Sequence, residues 1–251
     1  MYLQVTTKCN MACAHCGFAC GRKGEHMPFR TAIAAVCFIN NWGKEVIAIG
    51  GGEPTMNPRF FDILRLCLDS FDRVWLSTNG KKTRTMRRLA DIMLDRDWQN
   101  DRSEDGSDRI PNPDRRLAVD LSLDRFHSPI NPEIVQLWRE KASASRFWTH
   151  NPFKIRDVSG YVIPVGRAKN NGLGDQVASD RCVCNDIIIK PSGTIQLCGC
   201  PGSPDIGDVW NGVDPDWETV IRQDDGYETY HCYRKVTLTA GGESLSPDIA
   251  A

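Results

Sequence analysis

The chain has 251 residues, of which 41% are hydrophobic and 25% charged, and its 31 basic and 32 acidic side chains leave a formal net charge of -1. A chain of this length and apolar content can bury most of its unfolded surface, so disorder as the main state and a core dependent on disulfides are both excluded. The near balance of charge excludes a generic polyanion binder; a nucleic-acid partner is not expected, and any partner is selected by local chemistry.

Short apolar runs alternate with segments of helical period, the pattern of parallel strands joined by crossover helices. Residues 2–6 read as a first strand, followed by a cysteine-rich loop. A helix over 28–41 places Phe29, Ile33, Cys37 and Phe38 on one face. Residues 45–49 form the second strand. Pro58 suits a helix start, with Phe61, Ile63, Leu64, Cys67 and Leu68 as its buried stripe. A third strand over 73–77 and a third helix over 83–97 follow. Residues 98–116 are almost entirely polar and read as a surface insertion. A strand over 117–123 precedes a helix over 132–145 with Ile134, Leu137 and Trp138 inward, and 153–156 and 161–165 read as the last two strands. The expected class is therefore α/β, with a β/α order throughout residues 1–170. From about Asn170, glycine, proline and cysteine replace the helical period, which points to a small cysteine-rich, metal-supported appendage over 171–236 and a loose tail over 237–251.

No run of about 18 apolar residues occurs, and Met1 leads through Tyr2, Leu3, Gln4 and Val5 to Thr6, Thr7 and Lys8 without the basic-then-apolar pattern of an export signal. A cytoplasmic protein without a membrane partner is expected. Eleven cysteines in such a chain read as metal ligands or redox groups ahead of disulfides, because cytosolic thiols stay reduced. Four fall between Cys9 and Cys20. Cys37 and Cys67 stand alone with helical core spacing and read as buried small hydrophobes. Five are late: Cys182, Cys184, Cys198, Cys200 and Cys232.

Cys9, Cys13 and Cys16 form a C-x-x-x-C-x-x-C arrangement directly after the first strand. Three thiolates on one short loop can wrap one face of a metal cluster. Four-iron clusters normally take four cysteines, so one iron stays open to chemistry unless Cys20 or a distant residue fills it; a zinc knuckle or unligated thiols are the alternatives. The second strand ends in Gly50-Gly51-Gly52-Glu53-Pro54-Thr55. Consecutive glycines let main chain approach a ligand closely, and Glu53 supplies negative charge for an ammonium group. Both segments sit at the carboxyl ends of adjacent strands, the mouth where β/α barrels place their active sites.

Through Cys9, Cys13 and Cys16, Gly51-Gly52-Glu53-Pro54, Thr78-Asn79-Gly80 and Ser122-Leu123-Asp124, the sequence resembles the radical S-adenosyl-L-methionine (AdoMet) superfamily over roughly residues 1–170. The resemblance implies a partial (β/α)6 TIM-like barrel and a 4Fe-4S cluster held by those three thiolates, with AdoMet on the open iron. By matching position, Gly51, Gly52 and Glu53 meet the methionine ammonium, His15 lies near adenine, and Ser122, Asp124 and Asn79 lie around the ribose or carboxylate. Asn79 and Asp124 read equally well as turn caps. Residues 162–168 match the family's sixth strand and its glycine turn, and Cys20 is surplus. The implied activity is reductive cleavage of AdoMet and hydrogen abstraction by a 5'-deoxyadenosyl radical from a peptide or protein side chain or a small metabolite. A one-electron donor such as flavodoxin or ferredoxin is the implied partner.

The late cysteines flank Pro191-Ser192-Gly193 and precede Ile206-Gly207-Asp208-Val209. Two short strands joined at that turn bring Cys182 or Cys184 beside Cys198. The stretch looks like the start of a SPASM or twitch appendage, which implies a second iron–sulfur cluster. Structural zinc and free or redox-paired thiols remain open, as does the choice among Cys182, Cys184, Cys198, Cys200 and Cys232. A full SPASM domain carries further cysteines, so one auxiliary cluster is the most this chain supports. Lys81, Lys82, Arg84, Arg87 and Arg88 read as a solvated helix face rather than a phosphate site. His127 carries no assigned role. The rivals to the leading reading are a glycyl-radical enzyme activase and, from another class, a cysteine-rich zinc or redox-sensing interaction protein.

Overall fold

The computed structural model describes residues 1–94, 116–144, 152–160, 162, 165–174, 187–199 and 203–214. Its elements are β1 (Tyr2–Thr6), α1 (Phe29–Asn41), β2 (Val46–Gly51), a 3-10 turn (Pro54–Met56), α2 (Phe60–Ser70), β3 (Arg73–Thr78), α3 (Thr83–Leu94), β4 (Arg116–Ser122), α4 (Pro132–Ala144), β5 (Phe153–Arg156), α5 (Gly166–Asn170), β6 (Ile188–Ile189), β7 (Thr194–Gln196), β8 (Asp205–Asp208) and β9 (Gly212–Val213). The strands form one sheet in the order β5-β4-β3-β2-β1-β6-β7-β8-β9. β1 to β6 pair in parallel with their neighbours, and β6 to β9 continue as an antiparallel meander. No helix among the described residues is long and apolar enough to cross a membrane.

The period-two pattern decides which side of the sheet the helices cover. Leu3, Val5, Ile47, Ile49, Val74, Leu76, Leu117, Val119, Leu121 and Phe153 share one buried cluster with residues of α1, α2, α3 and α4. Alternate positions carry Tyr2, Gln4, Ala48, Gly50, Trp75, Asp120 and Lys154 on the other face. There the Lys154 Nζ lies 4.3 Å from the centre of the Trp75 ring, and burial pushes the Asp120 carboxyl up against the opposing pull of Lys154 and Arg156.

Ile134 and Trp138 of α4 are buried as expected, Trp138 edge-on to Phe153 with ring centres 5.0 Å apart. Ile63, Leu64 and Cys67 of α2 are buried too. In α1 the expected face holds at Phe29 and Phe38, which pack partly buried against the core, and fails at Ile33 and Cys37. Thr31, Ala32, Ala35, Val36 and Ile39 are buried, whereas Ile33 is 43% exposed and Cys37 is also exposed. Two stripes compete on this helix, and the one with two alanines packs inward because small side chains let the helix lie close to its neighbours. Cys37 is thus a surface thiol, while Cys67 is the buried hydrophobe expected.

The expected barrel is not closed among the described residues: β5 and β9 end the sheet on opposite sides. β6 takes the free edge of β1 in parallel, and the chain then reverses direction three times, which extends the sheet instead of curling it shut. The hairpin read from Pro191-Ser192-Gly193 is present, with Ile188 opposite Gln196 and the Lys190 N–H donating to the Thr194 carbonyl at 2.9 Å. Most of the expected strand over 161–165, the insertion over 98–116 apart from Arg116, which begins β4, residues 215–236 and the tail over 237–251 lie outside the described residues.

The inward face of α1 gives a direct test by urea unfolding. Ile39→Ala is expected to cost about 2–5 kcal/mol, and Ile33→Gln no more than about 0.5 kcal/mol; the opposite order would restore the face read from the sequence.

Candidate functional site

The cysteine loop is an excursion from a closed base. Past β1, the Thr6 hydroxyl donates to the Glu25 carbonyl at 2.8 Å, the Met27 N–H donates to Val5 at 2.9 Å, and the Cys9 N–H donates to Gly21 at 2.7 Å. Between these ties Cys9, Met11 and Cys20 are buried, packed with Cys13, Cys16 and Phe18. All four cysteines are free thiols. Burial raises Cys9 above its ordinary value and pushes Cys13 up to about 11. Cys16 is held low by the Cys20 thiol that donates to it and by the nearby Arg167, and Cys20 is raised in return. Cys20 therefore belongs to the same pocket as the triplet.

A distant residue clamps this loop. Arg167 of α5 donates from Nη1 to the Cys13 carbonyl at 2.9 Å and from Nη2 to the carbonyls of Ala19 at 2.9 Å and Cys20 at 2.6 Å. Its backbone N–H reaches the Cys16 carbonyl at 2.9 Å, and Asn171 Nδ2 donates to Ala14 at 3.0 Å. Gly166, at φ 57°, lies so close to the loop that a Cβ would sit 1.9 Å from the Gly17 carbonyl oxygen, a place only glycine fills. Sequence reasoning put this segment in a strand and glycine turn and gave Arg167 no part; the Gly166-Arg167 pair is the signal it passed over.

The glycine run meets main chain of its own protein. The Gly52 N–H donates to Thr6 and the Glu53 N–H to Lys8, each at 2.8 Å. A Cβ at Gly51 or Gly52 would lie 2.2 Å from the carbonyl oxygen of Thr6 or Lys8 respectively. Glu53, only 1% exposed, is bonded within the chain at both carboxylate oxygens. Oε1 accepts from the Thr55 N–H at 3.2 Å, the Thr55 hydroxyl at 2.6 Å and the Thr78 hydroxyl at 2.7 Å; Oε2 accepts from the Asn79 N–H at 2.8 Å. Asn79 in turn donates from Nδ2 to Asn10 Oδ1 at 2.7 Å and lies 3.8 Å from the Cys9 sulfur. Glu53 and Asn79 thus join the ends of β2 and β3 to the cysteine loop.

Past β4, Asp124 Oδ1 accepts from the Phe126 N–H at 2.9 Å, the His127 N–H at 3.1 Å and His127 Nδ1 at 2.8 Å. Burial alone raises this carboxyl, but the His127 and Phe126 hydrogen bonds outweigh it and hold it below the ordinary value. Burial lowers His15, so its imidazole is neutral near pH 7. The His15 ring lies 4.6 Å from Phe126 and 5.1 Å from His127. Asp124 Oδ2 and His15 Nδ1 are buried without a hydrogen-bond partner among the described residues. Such atoms cost stability unless a ligand meets them.

The carboxyl ends of β1 to β4 therefore gather the predicted residues: Cys9, Cys13, Cys16 and His15 after β1, Gly51, Gly52 and Glu53 at β2, Asn79 after β3, and buried Ser122 with Asp124 at β4. Among the late cysteines only Cys198 is described, buried, its N–H donating to the Ser203 hydroxyl at 3.0 Å. Cys182, Cys184, Cys200 and Cys232 lie outside the described residues. A Cβ at Gly199 would meet the Phe18 ring at 3.1 Å, so the Cys198 turn rests on the first cysteine loop. The basic run of α3 is partly engaged within the fold: Lys82 Nζ donates to the Thr55 carbonyl at 2.9 Å, Arg87 pairs with Glu133, and Arg88 lies 3.9 Å from the centre of the Phe61 ring.

Two substitutions test this architecture. Arg167→Ala is expected to speed amide hydrogen exchange at Cys16 and Ala19, whose N–H groups close the loop's inner turns, and to lower stability by about 1–3 kcal/mol; unchanged exchange would mean that the clamp holds nothing. Glu53→Gln places an amide N–H₂ where only acceptors are met by donors, and is expected to cost at least about 1–3 kcal/mol in urea unfolding.

The family profile described as Radical SAM superfamily matches residues 3–98. A relative from Methanopyrus kandleri, described as probable GTP 3',8-cyclase, is 30% identical over 138 residues, 49% of this chain and 38% of that protein. A second, the AdoMet-dependent heme synthase of Methanosarcina barkeri, is 35% identical over 82 residues, 31% of this chain and 23% of that protein. The chain thus spans well under half the length of either curated relative. A solved structure described as native anSMEcpe with bound AdoMet and a peptide aligns at a TM-score of 0.47 with 13% identity, covering 91% of this chain and 81% of that one. By the profile match over residues 3–98 and these relatives, the first part of the chain is similar to radical SAM superfamily proteins.

Proposed function

We propose that Cys9, Cys13 and Cys16 hold a 4Fe-4S cluster and that the pocket beside them binds AdoMet, in an enzyme that takes a hydrogen atom from a peptide or protein side chain or a small metabolite. The observation that carries this reading is the pair of unpartnered buried atoms, Asp124 Oδ2 and His15 Nδ1, beside a pocket of free thiols. The donor set suits the group: three thiols on one short loop, closed at its base and clamped by Arg167, favour an iron–sulfur cluster with one iron left to a ligand. When bound, the cluster and AdoMet supply reductive carbon–sulfur cleavage and a 5'-deoxyadenosyl radical.

The chain's own residues bind, orient and shield. Gly51 and Gly52 bring backbone beside the cysteine loop, Glu53 fixes the ends of β2 and β3, and Ser122 and Asp124 face the nucleotide. Glu53 has both oxygens engaged within the chain, so its part in meeting the methionine ammonium is chiefly to set the glycine backbone and the local charge. The five parallel strands from β1 to β5 suit a partial barrel with its mouth at their carboxyl ends. The polar sheet face with Trp75, Asp120 and Lys154 suits a polar substrate, and a small one-electron carrier such as flavodoxin or ferredoxin suits the reduction step. Cys198, together with a choice among Cys182, Cys184, Cys200 and Cys232, is the proposed ligand set of a second cluster in a twitch-like appendage.

Anaerobic reconstitution tests both parts. The reduced protein is expected to form 5'-deoxyadenosine from AdoMet, and Cys13→Ala to abolish it; formation unaffected by that substitution would remove the triplet's role. About eight irons per chain would support two clusters, about four would leave one, and zinc alone would defeat the iron–sulfur reading.

A further inference from the structure

His127 is the group that neither the sequence reading nor the proposed function uses, yet it completes the most constrained polar contact at the mouth. The Asp124 side chain is 0% exposed. Its Oδ1 takes three donors, two of them the consecutive backbone N–H groups of Phe126 and His127 and the third the His127 ring at 2.8 Å. Its Oδ2 takes none. Two amides at one oxygen make an Asx-type turn that ties Oδ1 to its own loop backbone. A third donor from a bulky ring, itself packed at 5.1 Å against His15, tightens that hold from the side-chain direction. Because Oδ1 is an acceptor, the His127 tautomer in this contact carries its proton on Nδ1.

We infer that His127 is a positioning residue, locking the Asp124 carboxylate so that Oδ2 receives a hydrogen bond from a ribose hydroxyl of the adenosyl ligand. This rests on the reading of the pocket as an AdoMet site. The direction of the free oxygen carries the inference: an ionised carboxylate with a buried, unsatisfied lone-pair face is a demand for a donor. A sugar hydroxyl meets it without bringing a new charge into a pocket that already holds a buried carboxylate beside the cysteine loop. The His15 ring, whose Nδ1 is also unpartnered, lies close by, since one ligand atom from each of His15, Asp124 and His127 falls within 4.8 Å of the others.

The same proximity would admit a divalent cation, but the geometry argues for the hydrogen bond. Two donor atoms on one tetrahedral metal with bonds of about 2.0–2.1 Å stand about 3.3 Å apart, whereas Asp124 Oδ1 and His127 Nδ1 are 2.8 Å apart. That separation is an ordinary charge-assisted hydrogen bond.

The test measures AdoMet affinity by anaerobic equilibrium dialysis of the full, cluster-loaded chain, using AdoMet and its 2'-deoxy and 3'-deoxy analogues as probes. Wild type, His127→Ala and His127→Asn are compared, the last keeping an N–H donor near the position of Nδ1. His127→Ala is expected to weaken AdoMet about tenfold while changing the affinity of at least one deoxy analogue less than about twofold, and His127→Asn to recover most of the loss. Equal losses for all three ligands, wild-type affinity in His127→Ala, or no recovery in His127→Asn would overturn the positioning role. Failure of the wild type itself to bind AdoMet would instead overturn the reading of the pocket.

Discussion

The site is organised around one buried carboxylate. Glu53 is an ionisable group with almost no contact with solvent, a placement that is costly unless both oxygens are bonded. Its partners come from Thr55 just ahead of it and from Thr78 and Asn79 at the end of β3. The backbone leading into it, Gly51 and Gly52, is pressed against Thr6 and Lys8 too tightly for any Cβ. One side chain and two missing side chains thereby draw the ends of β1, β2 and β3 to a point. A lengthened or shifted turn there would leave a buried charge unpaired, so the position of the cysteine loop relative to the sheet is tightly fixed.

From that point outward the loops are held by groups remote in sequence. The cysteine loop would present its carbonyls to solvent if only its own turns acted on it. Arg167 and Asn171 bond five of those carbonyls, four through their side chains, and Gly166 allows the approach. The Asp124 turn works differently: its hydrogen bonds are local, and the His15 ring of the cysteine loop packs against its Phe126 and His127 rings. Rigid strands supply the frame and loops supply the chemistry, the usual division of labour in parallel α/β folds.

The late segment adds a second relation. β6 pairs directly with β1, so the strand that carries the first cysteines also borders the meander that carries Cys198. Contact between Phe18 and the Gly199 turn brings the two cysteine regions against one another. The two cysteine regions therefore share a sheet and an aromatic contact.

Much of this was legible in the chain itself. Alternating apolar residues fixed β1 to β5 to within a residue or two, and helical period fixed α1 to α4, because both periods are properties of the local backbone. The triplet Cys9, Cys13 and Cys16 and the run from Gly51 to Glu53 were equally visible, since their chemistry depends on spacing along one loop. The tertiary structure decided the rest. Ala32 and Ala35 rather than Ile33 and Cys37 turn inward because close packing, not hydrophobicity alone, selects a face. Arg167 gained its part from partners that only the folded chain brings near, Cys20 and His127 gained theirs from loop turns that no helical or strand period marks, and the openness of the described sheet followed from β6 pairing with β1. Local order is written in neighbouring residues, whereas the meeting of distant polar groups is settled by the sheet that carries them there.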